Sequence, residues 1–222
     1  MRGLTILVDA DDTIEYLAEA WIAILNERYG RSVCVDDLTS WEIQKAFPGL
    51  TKDEVYAPLK DESIWDRVRP REDAVYYLRR LIERGHKVYI VTATNHETYK
   101  AKMEKVLLRY FPYIHRTKVI VAYNKKMIQG DVRVDDGVHN LKDCDGLRIL
   151  MSAPHNRTFD AEAHGIKRVS NWQEIYALIL DYSGETMEGD EKNAGNALFD
   201  RVSQVLDFKE KARDKGNRIH RE

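Results

Sequence analysis

The stretch LTILVDADDT, residues 4–13, decides the fold because an apolar run leads directly into a cluster of acids. Aliphatic residues fill its first half, and Asp9, Asp11 and Asp12 follow. A near-continuous apolar run is typical of a strand that is covered on both faces, as in parallel sheets between helices. The stretch therefore predicts a buried strand whose carboxyl end gathers several negative charges, and these charges need an explanation.

Further apolar runs and helical patterns alternate along the chain. The runs KVYIVT, KVIVA, VRVDD and LRILMS predict four more strands, and REDAVYYLRRLIERG and NWQEIYALIL predict helices. TNHETYKAKMEKVLLRYF predicts another helix, opened by Thr94 and Glu97 at the spacing of a capping box. Alternation of this kind indicates an α/β fold, a three-layer sandwich with a mostly parallel sheet.

The chain divides into three parts by texture. Residues 1–14 and 71–182 carry the strand and helix alternation and form the predicted core. Residues 15–70 contain short helical patterns broken by prolines, which predicts a small helical cap inserted after the first strand. Residues 183–222 read as a linker followed by a C-terminal helix or tail, with Leu198, Val202, Val205 and Leu206 as the apolar face of that helix.

Composition excludes several classes of function. The net charge of −2 is close to neutral, which argues against binding of a nucleic-acid polymer driven by overall positive charge. Two distant cysteines, Cys34 and Cys144, form no disulfide framework, so we expect a reducing, cytoplasmic location. No apolar stretch approaches the roughly 18 residues of a membrane span, so we expect no membrane partner.

Polar residues able to handle a phosphate and a cation follow four strands in succession. Asp9 follows the first, Thr92 ends the second, Lys125 follows the third, and Asp135 with Asp136 ends the fourth. Each alone fits a capped turn or a solvated loop. In parallel α/β sheets, however, ligands bind outside the carboxyl ends of the strands, so together they predict one site.

The converging acids predict a bound cation. Carboxylates a few ångström apart cannot all remain ionised without help, and one pKa would rise sharply. Mg²⁺ prefers oxygen ligands and typically binds through one or two carboxylates together with a substrate phosphate. We therefore expect Mg²⁺ among Asp9, Asp11, Asp135 and Asp136, with a phosphate beside it.

The ordered motifs DADDT, IVTAT, Lys125 and GDVRVDD resemble the four motifs of the haloacid dehalogenase (HAD) superfamily of phosphohydrolases. The segments SIWDRVRPREDAVYYLRRLIERGHKVYIVTAT, NKKMIQGDVRVDD and APHNR with RVSNWQEI resemble its 5′(3′)-deoxyribonucleotidase, cytosolic type C, branch. The likeness spans most of residues 1–180. Asp12 departs from the superfamily pattern, which often has glycine there. The resemblance implies a Mg²⁺-dependent phosphatase that acts on (deoxy)nucleoside monophosphates, small-molecule substrates, and a possible homodimer.

The resemblance also implies roles for individual residues. Asp9 attacks phosphorus to form an aspartyl-phosphate, and Asp11 serves as general acid and base, which requires a raised pKa. Thr92, with Ala93 and Thr94, binds the phosphoryl group, and Lys125 neutralises its charge.

The implied metal ligands are Asp9, the main-chain carbonyl of Asp11, and either Asp135 or Asp136. Asp131 is expected to support the lysine or the metal.

Substrate choice is expected to lie in the inserted segment. Trp41 and Phe47, in a broken helical region, are candidates for stacking on a nucleobase, whereas Trp21 lies in an apolar stripe and is expected in the core. Three alternatives remain open: a phosphatase for a small sugar phosphate or other metabolite, phosphotransfer to another alcohol, and a non-catalytic binding protein of the same fold.

Overall fold

The protein is described by a computed structural model that covers residues 3–189. Six parallel strands form one sheet in the order β3-β2-β1-β4-β5-β6. The strands are β1 Thr5–Val8, β2 Lys87–Thr92, β3 Val119–Val121, β4 Val132–Asp135, β5 Leu147–Met151 and β6 Lys167–Val169. The five strands predicted from the sequence are confirmed. The sixth, β6, escaped prediction because it is three residues long and its first two, Lys167 and Arg168, are exposed.

Helices connect the strands and cover the sheet. They are α1 Leu17–Tyr29, α2 Lys52–Tyr56, α3 Glu72–Glu83, α4 Tyr99–Lys102, α5 Leu108–Tyr110, α6 Val138–Leu141 and α7 Trp172–Ser183. A π-helical turn, Met103–Leu107, joins α4 to α5. None of the helices in residues 3–189 is long and apolar enough to cross a membrane.

The hydrophobic core lies on both faces of the sheet. Ile6 and Val8 of β1 belong to the larger cluster, which also contains the buried sides of α3 and α7, with the rings of Tyr77 and Tyr176 5.0 Å apart. A smaller cluster around Leu141 and Leu150 contains residues of α6 and β5. The predicted three-layer α/β fold is therefore confirmed.

The start of α4 differs from the prediction. Thr98, not Thr94, is the residue at the N-terminal boundary, and its side chain makes no capping bond. Glu97 instead donates its main-chain N–H to the side chain of Asn95 at 3.0 Å, which forms a local turn before the helix. The capping-box prediction was wrong because Asn95 competes for the same backbone donor.

The inserted segment contains α1, α2 and four short 3₁₀ helices: Val35–Asp37, Ile43–Ala46, Ala57–Lys60 and Glu62–Asp66. It has an apolar cluster of its own, built from Leu25, Phe47, Val55 and their neighbours. The chain enters and leaves it side by side, because Tyr16 donates to the carbonyl of Arg69 at 2.9 Å and Arg71 to that of Ile14 at 2.8 Å. The predicted domain boundaries stay predictions, and the predicted C-terminal helix lies outside the described residues.

The strand order places the carboxyl ends of β1, β2 and β4 together. β1 lies between β2 and β4, and the chain fills the β2–β3 side before it crosses to β4, β5 and β6. The order therefore reverses beside β1, which is the position where parallel α/β sheets form a crevice. Asp9 follows β1 at this point.

Candidate active site

A cavity of about 340 Å³ lies over the carboxyl ends of the strands, between the sheet and the inserted segment. Of the residues predicted for the site, it is lined by Asp9, Asp11, Asp136, Lys125, Ala93 and Trp41. Thr92 and Asp135 lie directly behind this lining and are fully buried. The structure thus brings the four strand-end motifs together.

Asp9 and Lys125 form a buried ion pair at the floor of the cavity. The Lys125 ammonium lies 2.5 Å from Asp9 Oδ1 and 3.0 Å from Asp135 Oδ2. The Ala10 N–H also donates to Asp9 Oδ1, at 2.7 Å. Burial raises the pKa of Asp9 to about 7, against the opposing pull of Lys125. Burial would lower the pKa of Lys125, but the charges of Asp9 and Asp135 outweigh it and raise that pKa, so this lysine remains charged.

Asp135 and Asp136 differ in how their oxygens are used. Asp135 Oδ1 accepts from the Gly137 N–H at 2.8 Å and the Asn140 amide at 3.0 Å, while Oδ2 faces Lys125. Asp136 Oδ1, by contrast, is buried and has no hydrogen-bond partner among the described residues. Burial and the neighbouring charges of Asp9 and Asp135 raise the pKa of Asp136 well above its ordinary value.

A cation would satisfy this acidic group. Carboxylate oxygens of Asp9, Asp135 and Asp136 lie within 4.8 Å of one another. A buried, unpartnered carboxylate oxygen is costly, and a hard divalent ion offers the missing partner. The residues present therefore fit Mg²⁺, with Asp136 Oδ1 as the oxygen that has the greatest need of it.

A lysine that the sequence analysis missed holds Asp11. The Lys102 side chain is 1% exposed, and its ammonium contacts Asp11 Oδ1 and the Thr92 hydroxyl, the latter at 2.8 Å. Its Nζ also lies 5.0 Å from the ring centroid of Trp65. Lys102 occupies the apolar stripe of its helix, three residues after Tyr99 and four before Val106. A charged residue at a core position of the stripe was the signal that could have identified it.

The expected rise in the pKa of Asp11 is contradicted. Burial acts to raise it, but the Lys102 ammonium opposes this and the pKa of Asp11 lies below its ordinary value. Nearby, the carboxyl group of Glu15 is fully buried beside that of Asp11. Burial, reinforced by the charge of Asp11, raises the pKa of Glu15 well above normal. The two neighbouring carboxyl groups are therefore shifted in opposite directions, the pKa of Asp11 downward and that of Glu15 upward.

Asp12 links the acidic loop to α1. Its backbone has φ of 55°, in the left-handed region, where the usual glycine of the superfamily would be unstrained. The Asp12 carboxylate accepts from the Ala18 N–H at 3.0 Å, which gives α1 a partner for one of its free amides. The Arg71 guanidinium donates to the Asp12 carbonyl at 3.1 Å. These contacts give a structural reason for an aspartate at position 12, where the superfamily often has glycine.

Aromatic side chains also line the cavity. Trp41 is 54% exposed and meets the imidazoles of His139 and His155 edge-on, at centroid distances of 4.8 and 5.1 Å. Trp21, expected in the core, is partly buried and packs against both hydrophobic clusters, and it also lines the cavity, edge-on against Tyr56. Its helix turns this part of the apolar stripe toward the cavity, which the periodicity alone could not distinguish from the core.

Three predicted contacts are absent from the cavity. Phe47 is 1% exposed inside the apolar cluster of the inserted segment and does not line the cavity. Thr94 is buried too, and its carbonyl accepts from the Tyr123 hydroxyl at 3.0 Å. Asp131 accepts from the Thr5 N–H at 2.7 Å, at the amino end of the sheet, so it supports neither Lys125 nor the metal ligands directly.

Comparison with solved structures defines the class. The fold is similar to a HAD family hydrolase from Deinococcus radiodurans R1 with bound phosphate and sodium, at a TM-score of 0.54 and 15% identity, over 83% of this chain and 98% of that one. A haloacid dehalogenase-like hydrolase from Streptococcus pneumoniae gives a TM-score of 0.55 at 10% identity, over 80% and 98%. The fold of this chain is therefore that of the haloacid dehalogenase-like hydrolases.

Comparison of sequences defines the family. The profile described as 5′ nucleotidase, deoxy (pyrimidine), cytosolic type C protein matches residues 2–183, so the chain belongs to this family. A 5′(3′)-deoxyribonucleotidase from Bacillus subtilis is 34% identical over 177 residues, which are 79% of this chain and 98% of the relative. One from Clostridium acetobutylicum is 26% identical over 178 residues, 80% and 96% respectively. The protein is a nucleotidase-type phosphatase, a phosphoric monoester hydrolase.

Proposed function

We propose that this protein is a Mg²⁺-dependent 5′(3′)-deoxyribonucleotidase that hydrolyses (deoxy)nucleoside monophosphates through an aspartyl-phosphate on Asp9. The observation that carries the proposal is the pairing of Asp9 with Lys125 at the floor of a cavity that also exposes an aromatic surface. The acidic floor fits a phosphate with its cation, and the aromatic side fits a base.

Asp9 and Asp136 would hold the Mg²⁺. Asp135 already satisfies its oxygens with Lys125, Asn140 and Gly137, so we assign direct ligation to Asp136, together with the Asp11 carbonyl that the family likeness implies. When bound, Mg²⁺ supplies charge neutralisation for the phosphoryl group.

Asp9 is the proposed nucleophile. Lys125 and the Ala10 N–H both contact Oδ1, so we assign the attack on phosphorus to Oδ2. The new bond joins Oδ2 to phosphorus, and the bond from phosphorus to the ribose oxygen breaks. Lys125 stays charged throughout and offsets the negative charge of the phosphoryl group.

Asp11 is the proposed acid and base. It gives a proton to the leaving ribose oxygen and then takes one from the water that attacks the phosphorylated Asp9, which releases phosphate and regenerates the carboxylate. In the free protein Lys102 keeps Asp11 ionised. A phosphate dianion placed against Asp11 opposes that effect, because a like charge raises the pKa of a carboxyl. Thr92 orients Asp11 through its hydroxyl, at 3.3 Å from Oδ2.

Trp41 is the proposed surface for the base. Its ring is half exposed, lines the cavity, and packs edge-on against His139 and His155. Stacking of a base on such a ring contributes roughly 1–3 kcal/mol. A small sugar phosphate would leave this apolar surface uncovered.

A phosphate-release assay tests the proposal. The panel contains 5′- and 3′-deoxynucleotides, ribonucleotides and sugar phosphates, each with Mg²⁺ and with EDTA. We expect Mg²⁺-dependent turnover that is highest for deoxynucleotides, and no turnover for Asp9→Asn. The exposed Asp145→Asn is the matched control and should keep full activity. Better turnover of sugar phosphates, or activity in Asp9→Asn, would refute the assignment.

A further inference from the structure

β4 carries a buried arginine whose role the chemistry above leaves unassigned. Arg133 is 5% exposed, and its side chain points to the same face of β4 as Asp135, because strand residues alternate between faces. Within residues 3–189 it forms no ion pair with a carboxylate. Burial of an unpaired guanidinium is costly unless its N–H groups are hydrogen-bonded.

The partners of Arg133 are two main-chain carbonyls at the ends of one turn. Its Nη1 donates to the carbonyl of Lys125 at 3.1 Å, and its Nη2 donates to that of Ile128 at 2.5 Å. The turn between them is the 3₁₀ helix Lys125–Met127, closed by the Ile128 N–H on the Lys125 carbonyl at 3.1 Å. The planar guanidinium therefore ties both ends of the turn to β4.

Lys125 is consequently held by β4 at both of its ends. Asp135 receives its ammonium at 3.0 Å, and Arg133, two residues earlier on the same face, holds its carbonyl. A lysine side chain is a flexible four-carbon stem, so a fixed ammonium also needs a fixed backbone. Asp9 Oδ1, 2.5 Å from that ammonium, depends on this backbone position.

We propose that Arg133 is a positioning residue that fixes the Lys125 turn, and with it the contact between the lysine and Asp9. The inference rests on the proposed function, because it presumes that Lys125 acts on the phosphoryl group. Misplacement of a reacting group by about 1 Å costs about 100-fold in rate. Loss of Arg133 should therefore reduce kcat far more than KM.

The first test compares two arginines on the same face of the sheet. Arg133→Met keeps the length of the side chain and removes both donors, and we expect kcat to fall about 10–100-fold. Arg133→Lys can donate to only one of the two carbonyls, so the kcat of this variant should lie between those of Arg133→Met and wild type. The matched control is Arg148→Met on β5, opposite Arg133 in register, whose guanidinium donates instead to the His164 carbonyl at 3.0 Å. Its kcat should stay at the wild-type value.

The second test is chemical rescue. A polar cavity of about 550 Å³ is lined by Arg133 together with Lys126, Ile128 and Gln129, so a small ion can reach the place of the guanidinium. In Arg133→Ala, millimolar guanidinium chloride should restore part of kcat, and sodium chloride at equal ionic strength should not. Neither salt should raise the kcat of Arg148→Ala.

The outcomes separate the two claims. Wild-type kcat in folded Arg133→Met, or no rescue of Arg133→Ala by guanidinium, overturns the inference and leaves the proposed function intact. A wild-type protein that is inactive on every monoester overturns the proposed function, and the inference with it. A thermal melt of each variant verifies that the protein assayed is folded.

Discussion

Replacement of Lys102 by methionine isolates the buried network beside the cavity. The substitution keeps a long, flexible side chain against Trp65 and removes the ammonium that contacts Asp11 and Thr92. Asp11 is then a carboxylate without its cation, next to the fully buried Glu15. We expect Lys102→Met to lower the free energy of unfolding and to raise the pKa of Asp11.

The size of the effect follows from the burial of the pair. Removal of one partner from a buried ion pair costs about 3–5 kcal/mol. The Asp11 side chain is 23% exposed, so water solvates it in part. We therefore expect a loss of unfolding free energy at the lower end of this range, about 3 kcal/mol. A domain of this size loses about 2–4 °C in Tm per kcal/mol, so Tm should fall by about 6–12 °C.

Thermal unfolding in EDTA, followed by circular dichroism, measures this change. The pKa of Asp11 is lowered in the wild-type fold, so its stabilisation is present above the unfolded pKa and is lost as pH falls through the folded value. The gap in Tm between wild type and Lys102→Met should therefore narrow toward acidic pH. Lys100→Met, exposed on the same helix, is the control. A Tm within about 2 °C of wild type would contradict the buried pair.

Four further results are expected. Asp136→Asn should raise the Mg²⁺ concentration for half-maximal activity by about 10–100-fold or more, measured by titration, because it alters the unpartnered ligand. Trp41→Ala should raise KM for a nucleotide by roughly 5–150-fold, the equivalent of about 1–3 kcal/mol of stacking. Phe47→Ala should instead leave KM unchanged and lower the free energy of unfolding by about 3–5 kcal/mol in a denaturant titration. In EDTA, Tm should rise as pH falls from about 8 to about 6, because Asp9, with its pKa raised to about 7, takes up a proton in the folded state, and added Mg²⁺ should stabilise most at the higher pH.

The sheet and the convergence at its edge were predictable because they depend on local pattern and topology. Apolar runs specify buried strands, and the carboxyl ends of parallel strands lie at the same edge of the sheet whatever the strand order. Asp9, Lys125 and the pair Asp135 and Asp136 therefore came together as expected. Asp135 is satisfied by hydrogen bonds from Gly137 and Asn140, which leaves Asp136 with the unpartnered oxygen. Neither donor lies at the end of a strand, so the pattern of strand ends could not identify them.

The remaining features depend on three-dimensional packing that periodicity does not encode. Phe47 comes from a broken helical region and Trp21 from an apolar stripe, yet Phe47 fills the cluster of the inserted segment and Trp21 lines the cavity. The π-helical turn after Lys102 changes the helical register, which a constant period of 3.6 residues cannot anticipate. The lowered pKa of Asp11 likewise arises from a lysine 91 residues away in sequence.

The paired backbone at the two ends of the inserted segment has an architectural consequence. Hydrogen bonds of 2.9 and 2.8 Å clasp the outgoing and returning chain at Tyr16 with Arg69 and at Ile14 with Arg71. The inserted segment therefore begins and ends at one place beside β1, and between these ends its Ile64 and Trp65 pack into the main hydrophobic cluster. A different loop could therefore replace only the part of the segment that faces the cavity, because Trp65 contacts Lys102 and the Ala18 N–H donates to Asp12.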